Sequence, residues 1–225
     1  MKCSLLPSLT ELNFEGVTEY LEELVTRIDT PRLGRMDVTL VNQIDTPRLA
    51  QFTNRTSLAG RAGGKARVEF CRGMISVHLQ ARVNMSIFST EPDRQLSSVA
   101  QVCNLWRSLS TVEALNIESR IWQPVWMGDA SKKWLDGAVK NTLWLQVLLH
   151  FTAVKNLYLS KVFAPSIAAT LQELVEGRII EVLPSLQNIF VEGLESSVVF
   201  QEKIGQFIAA RQFSGHSISI SVWDK

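Results

Sequence analysis

Residues 6–16 read LPSLTELNFEG and residues 183–193 read LPSLQNIFVEG, with six of the eleven positions identical. The apolar positions fall in one register. The same template runs through 30–40 (TPRLGRMDVTL), 109–119 (LSTVEALNIES) and 151–161 (FTAVKNLYLSK). Each copy carries an apolar residue, two others, an apolar residue, one other, and an apolar residue. The instances are Leu9-x-x-Leu12-x-Phe14, Leu33-x-x-Met36-x-Val38, Val112-x-x-Leu115-x-Ile117, Val154-x-x-Leu157-x-Leu159 and Leu186-x-x-Ile189-x-Val191. The last two apolar positions alternate, which predicts that both point to one face of a strand. The first belongs to the turn leading into it.

Helical spacing follows these strands. Val17–Ile28 places Tyr20, Leu21, Leu24, Val25 and Ile28 on one stripe, and Pro31 closes it. Ala164–Glu176 and Val199–Phe213 repeat the pattern, ending at Gly177 and Gly215, and Phe213 is read as part of the last stripe. Asn141–His150 precedes the 154–159 strand, and Gln95–Cys103 reads as a further helix. Strand and helix alternate with one apolar strand face, which predicts parallel strands joined by crossover helices. The expected fold is α/β, an irregular leucine-rich-repeat solenoid with strands on the concave side and helices on the convex side. The irregular starts imply divergent repeats with insertions. In the middle, Ala66–Phe70 and Ser76–Leu79 read as short strands around Cys71-Arg72-Gly73, and Val83–Phe88 as another repeat strand. Ser217–Trp223 alternates Ile218, Ile220 and Val222 and reads as a terminal strand. Residues 120–134 are too long for a tight repeat and read as an insertion or a mobile segment. No composition shift divides 1–225, so a single domain is expected.

Composition is that of a globular chain: 225 residues, 46% apolar and 20% charged, with a net charge of +1. That balance gives no electrostatic reason to bind nucleic acid or an anionic membrane. The longest run without Asp, Glu, Lys or Arg is the 14 residues Asn141–Val154, short of the roughly 20 a membrane helix needs. The N-terminus has no convincing signal-peptide pattern. Cys3, Cys71 and Cys103 are few, scattered and odd in number, which argues against a disulfide framework or a zinc site. A cytoplasmic or nuclear protein is expected, with no cofactor and no metal.

Catalytic motifs fail on inspection. Gly60–Ala66 (GRAGGKA) has Ala59 where a Walker loop needs glycine and Ala66 where it needs Ser or Thr. Gly215-His216-Ser217-Ile218-Ser219 ends in serine, and only eight residues follow Ser217. His78, His150 and His216 form no ligand pair, and spacing singles out no carboxylate pair.

The repeat register offers a surface instead. Residues flanking the apolar pair should form columns on the opposite, concave face. One column reads Asn13, Asp37, Asn116, Tyr158, Phe190. A second reads Glu11, Arg35, Ala114, Asn156, Asn188. A third reads Glu15, Thr39, Glu118, Ser160, Glu192. The first mixes amides and aromatics, which suit interfaces. Glu15, Glu118 and Glu192 in the third would flank it and favour a basic partner segment. Five of six tryptophans, Trp106, Trp122, Trp126, Trp134 and Trp144, fall within 39 residues and form an alternative anchor.

Several long phrases carry a family resemblance: EYLEELVTRIDTPRL (19–33), NQIDTPRLAQFTNRT (42–56), FTAVKNLYLSKVFAPSIAATLQELVEGR (151–178), EVLPSLQNIFVEGL (181–194) and IGQFIAARQFSGHSISISVWDK (204–225). They resemble the leucine-rich-repeat-like C-terminal part of the F-box-like proteins of mushroom-forming fungi. The resemblance implies an irregular leucine-rich-repeat fold and, in full-length members, a substrate-receptor role in a Skp–cullin–F-box ubiquitin ligase. The helical F-box itself is not found ahead of Leu6. Val102-Cys103-Asn104-Leu105-Trp106-Arg107 matches the VCxxWR end of an F-box, but the stretch ahead of it that should carry the F-box start and its amphipathic helix, RVEFCRGMISVHLQARVN (67–84), reads as strands. The sequence therefore reads as a non-catalytic protein-interaction domain whose partner is another protein, without coupling to the Skp adaptor. The alternatives are a free-standing adaptor or truncated relative, and, third, an enzyme.

Overall fold

The computed structural model describes residues 4–41, 46–58, 64–71, 73–80, 82–120, 140–174, 181–193 and 198–223. The repeat begins as a turn. In Leu6-Pro7-Ser8-Leu9, Thr30-Pro31-Arg32-Leu33 and Leu183-Pro184-Ser185-Leu186, the fourth N–H donates to the first C=O, at 3.2, 3.0 and 3.0 Å. Proline at the second position fixes the φ such a turn needs. The chain then extends into a strand.

The strands are β1 (Ser4–Leu5), β2 (Glu11–Gly16), β3 (Ile28–Asp29), β4 (Arg35–Leu40), β5 (Gly64–Cys71), β6 (Met74–Leu79), β7 (Val83–Phe88), β8 (Val112–Ser119), β9 (Asn156–Leu159), β10 (Asn188–Glu192) and β11 (Ser219–Trp223). The helices are α1 (Thr18–Arg27), α2 (Pro47–Arg55), α3 (Pro92–Leu105), α4 (Asn141–Leu148), α5 (Ala164–Glu173) and α6 (Val198–Phe213). A 3-10 turn over Arg107–Thr111 leads into β8.

Nine strands form one sheet in the order β11-β10-β9-β8-β5-β6-β7-β4-β2, and β1 pairs with β3 separately. All five strands of the repeat template lie in the large sheet, joined to their neighbours in parallel. Only β6 runs the other way, antiparallel to both β5 and β7. Gly73, at φ 74°, turns the chain between β5 and β6 in a conformation that side chains disfavour. The fold is thus a mixed α/β structure with a mostly parallel sheet.

The chain advances across the sheet from β2 to β11, apart from the step back through β5, β6 and β7. A constant crossover hand with one direction of travel puts every connecting helix on the same side. The helices accordingly contact one another in chain order, α1 to α6. Beneath them lie two apolar rows. The first runs Leu12, Met36, Val83, Leu79, Ala66, Leu115, Leu157, Ile189 and Ile220 across the nine strands. The second runs Phe14, Val38, Met85, Val77, Val68, Ile117, Leu159, Val191 and Val222. Both are buried except toward the two edge strands, where Phe14 and Ile220 are half-buried and Val222 is exposed. Phe70, Trp144 and Phe163 fill the centre, with ring centroids 4.5 to 5.9 Å apart.

Two side chains read as core lie outside it. Tyr20 is exposed on α1, and Phe213 is 94% exposed. Six residues past Phe207 is about 240° around a helix, off the buried stripe. Ile28 leaves the helix for β3. The sequence reading also passed over α2, whose first turn is capped from α1. The buried carboxylate of Glu22 accepts the Arg48 and Leu49 N–H groups at 2.9 and 2.8 Å.

Candidate functional site: the sheet face opposite the helices

Side chains alternate along each strand, so burying one face under helices turns the other outward. Among the described residues no helix packs on that second face. Its central row is continuous across all nine strands: Asn13, Asp37, Asn84, His78, Arg67, Asn116, Tyr158, Phe190 and Ser221. The five residues expected in one column, Asn13, Asp37, Asn116, Tyr158 and Phe190, do share this row. Asn13 and Asp37 are separated from Asn116 by three strands that contribute Asn84, His78 and Arg67.

The row divides into three parts. At the β9–β11 end, Tyr158 and Phe190 stack with centroids 4.5 Å apart and planes 11° apart. Trp223 meets Tyr158 edge-on at 5.4 Å. All three rings are half-buried and offer apolar area to solvent. A side-chain ladder runs alongside: Ser219 Oγ donates to Asn188 Oδ1 at 2.6 Å, and Asn188 Nδ2 to Asn156 Oδ1 at 2.8 Å. It ties the three strands together at the base of the aromatic group. The ladder and the stack rigidify this part of the face, so little side-chain entropy remains to be lost on binding.

At the centre is an ion cluster. Glu69 on β5 and Glu118 on β8 are register partners, and both are buried. Glu118 is covered by Arg67 of β5, and Glu69 by Arg120, the residue that follows β8. Arg120 Nε pairs with Glu69, and Arg67 Nε lies 3.6 Å from Glu118. His78 Nε2 is 3.6 Å from Glu69, and Cys71 Sγ is also 3.6 Å from it. Asn116 Nδ2 donates to Glu118 at 3.2 Å. Two adjacent buried carboxylates would repel, and the crossed arginines offset that repulsion. The arginines remain largely exposed, so cations form the outer layer of the cluster and carboxylates the inner one. Burial pushes the Cys71 thiol above its ordinary value, and the Glu69 carboxylate adds to the rise. Burial also holds the His78 imidazole below its ordinary range, against the pull of Glu69.

At the β2 end, Asn84 Nδ2 donates to Asp37 at 3.0 Å, and Ser76 and Ser86 share a hydrogen bond of 2.8 Å. The three acids read as flanking the column are dispersed. Glu15 is exposed on β2, Glu192 is half-buried on β10, and Glu118 lies under Arg67. The tryptophan alternative cannot be placed as a group, because Trp122, Trp126 and Trp134 lie outside the described residues, as do residues 121–134 of the expected insertion. Trp106 and Trp144 are buried.

Sequence reasoning missed Trp223 and the ion cluster. The signal for the first was present: if Ile220 and Val222 face inward, Trp223 faces outward with Ser221. The cluster was illegible because nothing in the sequence puts β5 beside β8. Among the described residues, no group of three or more His, Cys, Asp or Glu could hold a metal ion, and no helix is long and apolar enough to cross a membrane. No family model matches the chain, and no curated protein or solved structure matches it either.

Proposed function

We propose that this chain is a non-catalytic protein-interaction domain whose partner, another protein, seats on the sheet face opposite the helices. The observation that carries the reading is the Tyr158–Phe190 stack with Trp223 against it, held on rigid strands and left half-exposed. Aromatic anchors of this kind concentrate binding energy. Asn116, Asp37 and Asn13 extend the surface as a polar margin. Glu15 and Glu192 supply outlying negative charge, while Arg67 and Arg120 supply positive charge at the centre.

The binding reading is favoured over a catalytic one by the state of the central cluster. A nucleophilic cysteine needs a lowered pKa, and that of Cys71 is raised. Both buried carboxylates are engaged by arginine.

The resemblance to F-box-like proteins suggests the finer proposal. The fold would be an irregular leucine-rich-repeat solenoid with this face concave, acting as the substrate-recognition part of a ubiquitin-ligase receptor. A free-standing adaptor is the alternative. Direct binding to the Skp adaptor is not expected. The VCxxWR segment lies at the end of α3, where Val102, Cys103, Leu105 and Trp106 are all buried in the core and unavailable to a partner.

Partner capture by proximity labelling, followed by binding measurements, tests the face. Tyr158→Ala with Phe190→Ala should weaken binding by more than about 2 kcal/mol, the size of a hot spot, with the fold retained. Binding that survives that pair but is lost on changing Trp122 and Trp126 would assign the site to the insertion. A pull-down with purified Skp adaptor tests the coupling. Tight binding by the chain, lost on Trp106→Ala in a variant that circular dichroism shows to be folded, would refute the packing role given to that residue.

A further inference from the structure

The two edges of the large sheet are unlike. The β2 edge carries Glu11, Asn13 and Glu15, all exposed, and charged side chains are a common defence of an open strand. The β11 edge reads Ser219-Ile220-Ser221-Val222-Trp223, with no charge and no proline, and Val222 is 54% exposed on the helix side.

The backbone of β11 is also arranged to pair with itself. Ser219 N–H donates to Gln187 C=O of the neighbouring segment at 2.8 Å. Backbone groups alternate in direction along a strand, so those of Ser219, Ser221 and Trp223 face β10, and those of Ile220 and Val222 face away. An antiparallel pair with its two-fold axis at Ser221 sets Ile220 against Val222 of the second copy, and Val222 against its Ile220. Each of these pairs exchanges two N–H to C=O bonds, which satisfies all four outward groups on each strand. Ser221 then faces Ser221 at the narrow, non-hydrogen-bonded position, where a small side chain fits. Ile220 and Val222 form β-branched cross-strand pairs under the helices, and Ser219 lies opposite Trp223 on the open face. No like charges meet. The same operation on β2, centred at Asn13, would set Glu11 against Glu15 of the other copy, which is unfavourable.

We propose that β11 is a homodimerisation edge: a second copy of this chain pairs antiparallel with it about Ser221, joining the two sheets into one and bringing the two aromatic groups side by side. The interface is isologous, so it closes at two copies.

Sedimentation of the full 225-residue chain over about 1 to 200 µM tests this, because association follows mass action. The mass should rise toward twice 25.3 kDa. Amide hydrogen exchange by NMR gives the register. Exchange at Ile220 and Val222 should slow at least about tenfold in the dimer, while Ser219, Ser221 and Trp223 stay protected at all concentrations by β10. Val222→Pro removes an outward N–H and leaves the β10 pairing intact. It should give a folded monomer by circular dichroism. If that variant misfolds, Val222→Lys serves the same purpose from an already exposed position. A single 25.3 kDa species throughout the range would overturn the proposal. So would a dimer in which Ile220 and Val222 exchange freely, or one that persists in either folded variant.

Discussion

Leu157 and Tyr158 are neighbours on β9, and the register places them on opposite faces, so truncating each should give very different costs. Leu157 is fully buried between its register partners Leu115 and Ile189. Leu157→Ala removes three carbons, worth about 2.4 kcal/mol at about 0.8 kcal/mol per buried methylene. Both flanking strands are hydrogen-bonded to β9, so the site cannot collapse, and a residual cavity of about 50 Å³ adds roughly 1.2 kcal/mol. The expected loss is therefore about 3.5 kcal/mol. Tyr158→Ala on the other face loses its ring contacts with Phe190 and Trp223, about 1 to 3 kcal/mol together, since such pairs contribute about 0.5–1.5 kcal/mol each, and leaves no closed cavity because the ring is half-exposed. Urea unfolding of the two variants, read by circular dichroism and compared at equal m-value, measures both. A Leu157→Ala cost below about 1 kcal/mol, or a Tyr158→Ala cost equal to it, would refute the assignment of faces, because a one-residue slip exchanges them.

Two further outcomes concern titrating groups. Burial pushes the Cys103 thiol up to about 12, so native protein should resist alkylation there at pH 8 and react only on unfolding; mass spectrometry after a timed iodoacetamide pulse reads it, and fast native labelling of Cys103 would contradict its place in the core. Burial holds both His78 and His150 below their ordinary range. The unfolded chain then binds more protons than the folded one between those depressed values and about 6.5, so stability falls as pH drops through that window and is regained above it. Urea midpoints at pH 7.5 and 5.5 should differ in that direction, and His78→Gln with His150→Gln should flatten the slope; an unchanged slope would remove the histidines as its cause.

Much of the fold was legible because two local rules coincide at three of the five repeats, and the second holds at all five. Proline at the second position of Leu6–Leu9, Thr30–Leu33 and Leu183–Leu186 marks the turn, and the alternation after it marks which side of the strand is buried. These are short-range properties, and the sequence carries them directly. The central strands were legible as strands and not as an order. β6 reverses direction, and β5 meets β8 across the intervening β6, β7 and α3. The crossed pairs Arg67–Glu118 and Arg120–Glu69 depend on that meeting, so no spacing rule could reveal them. The same cause explains the acids: Glu118 resembles Glu15 and Glu192 in the repeat template, yet among the described residues only Glu118 has an arginine from an inserted strand above it. Phe213 shows the complementary error, an apolar residue included in a helix stripe although its angular position excludes it.

The reversal at β6 also bears on how the molecule assembles. Every parallel pairing in the sheet requires the chain to travel through a helix or longer before contact, which delays it. The β5–β6 and β6–β7 ladders close over a few residues each. Residues 64–88 can therefore form three adjacent strands early, presenting a template with two open edges, onto which β8 to β11 and β4 with β2 add outward from opposite sides. Growth from the middle rather than from one end would show in kinetics. Truncations such as Val77→Ala on β6 should slow folding, with a fractional effect above about 0.5, whereas Val191→Ala on β10 should chiefly hasten unfolding. The reverse assignment of those effects would mean that assembly starts at the repeats and the meander is fitted last.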